Sequence, residues 1–207
     1  AGNLRVLAED FGFNRYKNKT ETTTIFVVDA SGSSALNRLA EIKGAVELLL
    51  ADCYVRRDEV SLIAFRGTTA EMILPPTRSL LRAKRELAGL PGGGGTPLAS
   101  GLDAAMALAE GVRSKGRTPV VVVMTDGGAN IGRDGQPGRA QAGLDAVSAA
   151  RMFRATGISS ILIDTAKRPH PQSEEVANEM DALYIPLPRA NAERVAETVN
   201  LAVAERE

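Results

Sequence analysis

The chain has 207 residues, 44% of them hydrophobic and 24% charged, with 25 basic side chains balanced by 25 acidic ones. That composition excludes a disordered body, and the balanced charge gives no net field to recruit nucleic acid or an anionic membrane. No apolar run approaches the roughly 20 residues needed to span a bilayer, and a single cysteine, Cys53, excludes an internal disulfide and fits a reducing, cytoplasmic compartment.

Residues 1–22 are mixed and polar and read as an N-terminal arm, leaving 23–207 as one domain. The chain begins with Ala1, not Met, which fits a piece of a longer protein. The first predicted strand covers Thr23 to Val28 and runs into Asp29-Ala30-Ser31-Gly32-Ser33. Leu36, Leu39, Ile42, Val46, Leu49, Leu50 and Cys53 then recur at helical spacing. Asp58 to Phe65 and Thr69 to Leu74, joined by Arg66-Gly67-Thr68, predict an antiparallel edge hairpin that Pro75-Pro76 ends.

Ser79 starts a helix bearing Leu80, Leu81, Ala83 and Leu87. A glycine run, Gly92 to Gly95, leads to Thr96, and Pro97 stands where a first helical residue belongs, ahead of a helix from Leu98 to about Val112. Val120 to Met124 is the continuous apolar run of a strand covered on both faces. Gly127 to Gly138, rich in Gly, Asp and Pro, predicts an exposed loop. A helix from about Ala140 to Thr156, a strand from Ile158 to Asp164, a helix from Ser173 to Met180, a strand at Leu183-Tyr184-Ile185 and a helix from Asn191 to Glu205 complete the chain. Alternating strands and helices predict an α/β sheet with helices on both faces.

Three stretches put oxygen donors where the chain leaves apolar strands or a loop: Asp29, Ser31 and Ser33 at alternate positions, Thr96 after the glycines, and Asp126 after Thr125. Hard oxygen donors suit Mg²⁺ or Mn²⁺, not zinc or copper. Each piece has a structural alternative: Ser33 or Thr96 as a helix cap, Asp126-Gly127 as a turn, the glycines as a flexible link. The three together, in this order and at these places, favour a metal site.

The order Asp-x-Ser-x-Ser, Thr after a glycine loop, then Thr-Asp-Gly after a valine-rich strand resembles the metal-ion-dependent adhesion site of von Willebrand A and integrin I domains. That resemblance implies a Rossmann-like, mostly parallel sheet with one antiparallel edge strand, in the order 3-2-1-4-5-6. It implies Mg²⁺ or Mn²⁺ touched by the hydroxyls of Ser31, Ser33 and Thr96, with Asp29 and Asp126 acting through water. Neutral hydroxyls leave much of the metal charge unquenched, so a partner's Asp or Glu makes a strong further ligand.

Longer phrases, including Arg56-Arg57-Asp58-Glu59-Val60-Ser61-Leu62-Ile63-Ala64-Phe65-Arg66-Gly67 and Leu74-Pro75-Pro76-Thr77-Arg78-Ser79, are similar to the C-terminal domain of magnesium chelatase D subunits. The resemblance implies a non-catalytic docking domain in the complex that inserts Mg²⁺ into protoporphyrin IX. Its partners would be the AAA+ I subunit and the porphyrin-binding H subunit, engaged through an acidic residue. The related cobalt chelatase of cobalamin synthesis shares this architecture. A metal-dependent phosphatase or hydrolase using Asp29 is the reading from another class, although Ser31 stands where phosphotransfer chemistry usually wants a second acid. His170, the lone histidine, lies in an exposed-looking Pro-rich loop with no nucleophile expected near it. Arg56, Arg57, Arg66 and Arg78 form a second candidate partner surface.

Overall fold

The computed structural model describes residues 21–31 and 49–186. The apolar strands assemble into one six-stranded sheet: β1 (Thr22–Asp29), β2 (Glu59–Arg66), β3 (Thr69–Thr77), β4 (Thr118–Thr125), β5 (Ser159–Asp164) and β6 (Leu183–Pro186). Their spatial order is β3-β2-β1-β4-β5-β6, parallel throughout except for the antiparallel β2–β3 edge pair. This is the sheet that the sequence predicts. The chain reverses its direction of growth between β1 and β4, so their C-terminal ends flank the switch-point crevice of an open α/β sheet.

Alternation along the strands feeds two cores. Phe26 and Val28 of β1 pack on one face with Leu49, Leu50 and Cys53 of α1, whose described part is 49–56, and with Ala83 and Leu87 of α2 (Leu80–Ala88). Ile25 and Val27 face the other layer, made by α3 (Leu98–Ser114), α4 (Arg139–Thr156) and α5 (Pro171–Met180). Burying each large aliphatic side chain there contributes about 1.5–3 kcal/mol. Close approach is made possible by small residues. Ala142, Ala146, Ala149 and Ala150 line the buried face of α4, and a Cβ on Gly101 of α3 would come within 2.7 Å of the Phe65 ring. Cys53 is buried, in keeping with a small apolar role.

Several boundaries differ from expectation for physical reasons. Strand β3 does not stop at Pro75-Pro76 but continues to Thr77. Pairing passes from Leu62–Leu74 to Val60–Thr77, so the prolines fall in a bulge on an edge strand, where no ladder N–H is required of them. Ser61 Oγ donates to Leu74 O at 2.7 Å and satisfies the interrupted ladder. Ser79 caps α2 as predicted, accepting from Arg82 N, whereas Pro97 is the N-cap of α3 and not its first helical residue. His170 caps α5, which starts at Pro171, two residues earlier than predicted. The 127–138 loop is not wholly exposed: Ala129 and Ile131 are buried. The predicted helix over 191–205, the 32–48 part of the first helix and most of the N-terminal arm lie outside the described residues. Among the described residues no helix is long and apolar enough to cross a membrane.

Candidate metal site

Parallel pairing of β1 with β2 and β4 brings the end of β1 beside Phe65 and Thr125. Asp29 is the last residue of β1 and only 8% exposed. One carboxylate oxygen accepts from Ser31 N at 2.9 Å, which curls the chain back after the strand, and the other accepts from Thr125 Oγ1 at 2.9 Å. Thr125, fully buried, also accepts from Gly127 N at 3.1 Å through the same hydroxyl, so it ties the two acidic loops together. Asp126 Oδ1 accepts from Gly128 N at 3.1 Å in the turn that follows.

Thr96 arrives from 65 residues away and its hydroxyl donates to Ser31 Oγ at 2.7 Å. The loop that delivers it is not a flexible link. Gly93 N donates to Ala30 O at 2.9 Å, and Gly94 adopts φ +92° where an added Cβ would lie 2.9 Å from Gly67 N. A Cβ on Gly95 would fall 2.4 Å from Ile131 Cγ1 and 2.7 Å from Gly67 O. The glycines are needed because the loop is threaded between the β2–β3 turn and the loop after β4.

Asn130 completes the arrangement. Its Oδ1 accepts from Thr96 N at 2.8 Å and its own N–H donates to Thr96 O at 3.2 Å, clamping the threonine from both sides. Neither Asn130 nor the role of Thr125 was identified from the sequence. Thr125 sits inside the Thr-Asp-Gly phrase and was legible as part of it. Asn130 depends on a contact 34 residues away that carries no local signal.

The site is electrostatically uneasy. Burial pushes the Asp29 carboxyl from 3.8 up to about 6 against the hydrogen bonds from Ser31, and the nearby Asp126 charge adds to the rise. Two neighbouring carboxylates and two hydroxyls in contact form an all-oxygen donor set of the kind that a hard divalent cation takes. Among the described residues there is no group of three or more His, Cys, Asp or Glu that could hold a metal ion. Ser33 lies outside the described residues.

His170 is exposed and stands beside the site, closer than its place in the sequence suggests: a Cβ on Gly127 would lie 3.2 Å from His170 Cβ and 2.2 Å from Ser173 Oγ. Its Nδ1 accepts from Gln172 N as the cap of α5. The four arginines predicted as one partner surface are not gathered together. Arg66 ends β2 at the C-terminal edge of the sheet. Arg56, paired with Asp58, Arg57, at the end of α1, and Arg78, paired with Glu21, sit at the opposite edge.

A sequence profile of the von Willebrand factor type A domain matches residues 24–129. The chain is 52% identical over 98% of its length to the magnesium-chelatase 60 kDa subunit of Cereibacter sphaeroides, covering 36% of that protein. It is 51% identical to the corresponding subunit of Rhodobacter capsulatus, again over 98% of the chain and covering 37% of the relative. The chain therefore spans about a third of the length of these curated relatives. In fold it resembles manganese-loaded Plasmodium vivax TRAP protein, with a TM-score of 0.69 at 16% identity over 90% of this chain and 74% of that one. By its sheet order, its matched segment and these likenesses, the chain belongs to the von Willebrand factor type A domain family.

Proposed function

We propose that this domain is the metal-dependent docking module of a magnesium chelatase D-type subunit, which captures a partner carboxylate at the C-terminal edge of its sheet. The observation that carries the reading is the meeting of Ser31 and Thr96 hydroxyls at 2.7 Å above a buried Asp29, at the switch point of the sheet. Ser31, Thr96 and, from the same motif, Ser33 would hold Mg²⁺ or Mn²⁺ directly, with Asp29 and Asp126 as the charged backing. A divalent cation bound there supplies an open coordination position for an incoming Asp or Glu.

The protein's own contribution is positioning. Thr125 and Ser31 N–H orient the Asp29 carboxylate, and Asn130 fixes Thr96. The glycine loop keeps side chains from crowding that edge. Thr125, the hydroxyl that donates to Asp29, is fully buried and closed to a substrate, and in this reading the domain serves the Mg²⁺ insertion into protoporphyrin IX by assembly. The proposed partners are the AAA+ I subunit and the porphyrin-binding H subunit.

Binding of the chain to the I subunit, measured in Mg²⁺ and in excess EDTA, tests this. Wild type is expected to bind only with metal, and Asp29→Ala or Ser31→Ala to bind in neither condition. Binding that is indifferent to metal and to both substitutions would refute the docking reading.

A further inference from the structure

The loops around the site carry their charge on two flanks. Arg66 closes β2, and because Phe65 pairs with Asp29 it lies just beyond the strand end that bears the buried carboxylate. On the other flank Thr165 N donates to Thr125 O at 2.9 Å, so the 165–170 segment leaves β5 alongside the Asp126 loop and carries Lys167 and Arg168 there. All three cations are exposed, and none makes an ion pair among the described residues.

Arg133 and Asp134, also at this edge, are engaged locally. Arg133 is held by both carboxylate oxygens of Asp103, and Asp134 Oδ1 accepts from Gln136 N. The 91–97 stretch that delivers Thr96 carries no charge at all. Basic side chains thus stand on both sides of the hydroxyl pair, with the carboxylates of Asp29 and Asp126 between them.

The geometry points to a partner segment of defined chemistry, and the inference rests on the docking reading above: we propose that Arg66 on one flank and Lys167 and Arg168 on the other select an extended acidic segment. Its docking Asp or Glu would be flanked by further acids about two residues before and two after. The spacing follows from the sheet. β2, β1, β4 and β5 are consecutive neighbours, so β2 and β5 stand three inter-strand gaps apart, about 14 Å. An extended chain rises about 3.3 Å per residue and crosses that distance in about four residues. With its central carboxylate over Ser31 and Thr96, acids two positions to either side fall near the two basic flanks. Exposed pairs of this kind contribute little singly, and they act here as a discriminating set that repels a basic segment.

The test uses the whole chain and three short, labelled Gly/Ser peptides with a central Glu, whose residues two before and two after are Glu, Gln or Lys. Anisotropy is read in Mn²⁺ and in EDTA. In wild type the Glu-flanked peptide is expected to bind about three- to tenfold more tightly than the Gln-flanked one, with the Lys-flanked peptide weakest and the differences shrinking in high salt. The triple variant Arg66→Gln, Lys167→Gln, Arg168→Gln is expected to bind the Glu- and Gln-flanked peptides alike, with Mn²⁺ dependence retained for both. Equal binding of those two peptides by wild type, or a preference that survives in the triple variant, overturns the rim and leaves the docking reading standing. Failure of every peptide to show Mn²⁺-dependent binding that Asp29→Ala abolishes overturns both.

Discussion

The carboxylates at the strand ends are handled in opposite ways at the two edges of the sheet. At the N-terminal edge Glu21 meets Arg78 and Arg117, Glu59 meets Arg117, and Asp58 meets Arg56. Each of these carboxylates faces a guanidinium. At the C-terminal edge Asp29 is buried near Asp126, and its described partners are a backbone N–H and a hydroxyl. The first edge is arranged so that ionised groups rest easily at neutral pH. The second holds a carboxylate whose ionisation is opposed by its surroundings, a cost that a bound cation would offset. Substitutions at the two edges should therefore differ in size and, at one position, in sign.

The largest effect is expected where the C-terminal edge is assembled. Gly95→Ala places a methyl group 2.4 Å from Ile131 Cγ1 and 2.7 Å from Gly67 O, an overlap that side-chain rotation alone does not relieve because one neighbour is backbone. Urea unfolding should show a loss of about 3 kcal/mol, at the upper end of overpacking costs. Gly111→Ala, on α3 with open space around the new methyl group, should instead gain a few tenths to about 1 kcal/mol. A Gly95→Ala variant as stable as the Gly111 one would show that the glycine loop is a loose connection and that Thr96 is not held as described.

The next effect has the opposite sign. Because the folded-state pKa of Asp29 lies above 3.8, the metal-free fold binds its proton more tightly than the unfolded chain does. That stabilisation is complete below about pH 4 and is lost as pH rises through about 6. At pH 7 without metal, Asp29→Asn should raise stability by about 1–3 kcal/mol, the smaller figure allowing for weakened hydrogen bonds from Ser31 and Thr125. With Mn²⁺ the order should reverse, since wild type gains from the metal and the variant does not. Metal affinity of wild type should fall as pH drops below about 6, where the proton competes for the carboxylate. An Asn variant less stable than wild type in EDTA at pH 7 would mean that Asp29 is comfortable as an anion and that the contrast between the edges is false.

How far the sequence carried the argument follows the same division between local and distant causes. The valine run of β4, the edge hairpin and the Ser79 cap are local patterns, and each formed where its pattern lay. Asp29, Ser31, Thr96 and Asp126 were legible because each stands at the end of an element and the strand order brings those ends together. What escaped was set by contacts across the chain. Pro75 and Pro76 stay within a strand because β3 has a partner on one side only. Ala129 and Ile131 are buried because the glycine loop passes against them, so a composition typical of exposed loops misled. Asn130 looked like one more polar loop residue until Thr96 was beside it.

The smallest effect belongs to the N-terminal edge and is the control that gives the other two their meaning. Arg78 and Glu21 form an ion pair with both side chains about half exposed, 51% each. Water screens such a pair and holding two long side chains costs entropy, so Arg78→Gln should change stability by about 0.5 kcal/mol or less, and by less still in high salt. The gain in melting temperature on adding Mn²⁺ should match wild type, because Arg78 follows the end of β3 that pairs with the start of β2, at the far edge from Asp29. A loss above about 2 kcal/mol would mean that this ion pair holds the fold together and is no mere surface contact. A reduced metal response would mean something different: the two edges would be coupled through the sheet, and Arg78 would act on the site from its opposite end.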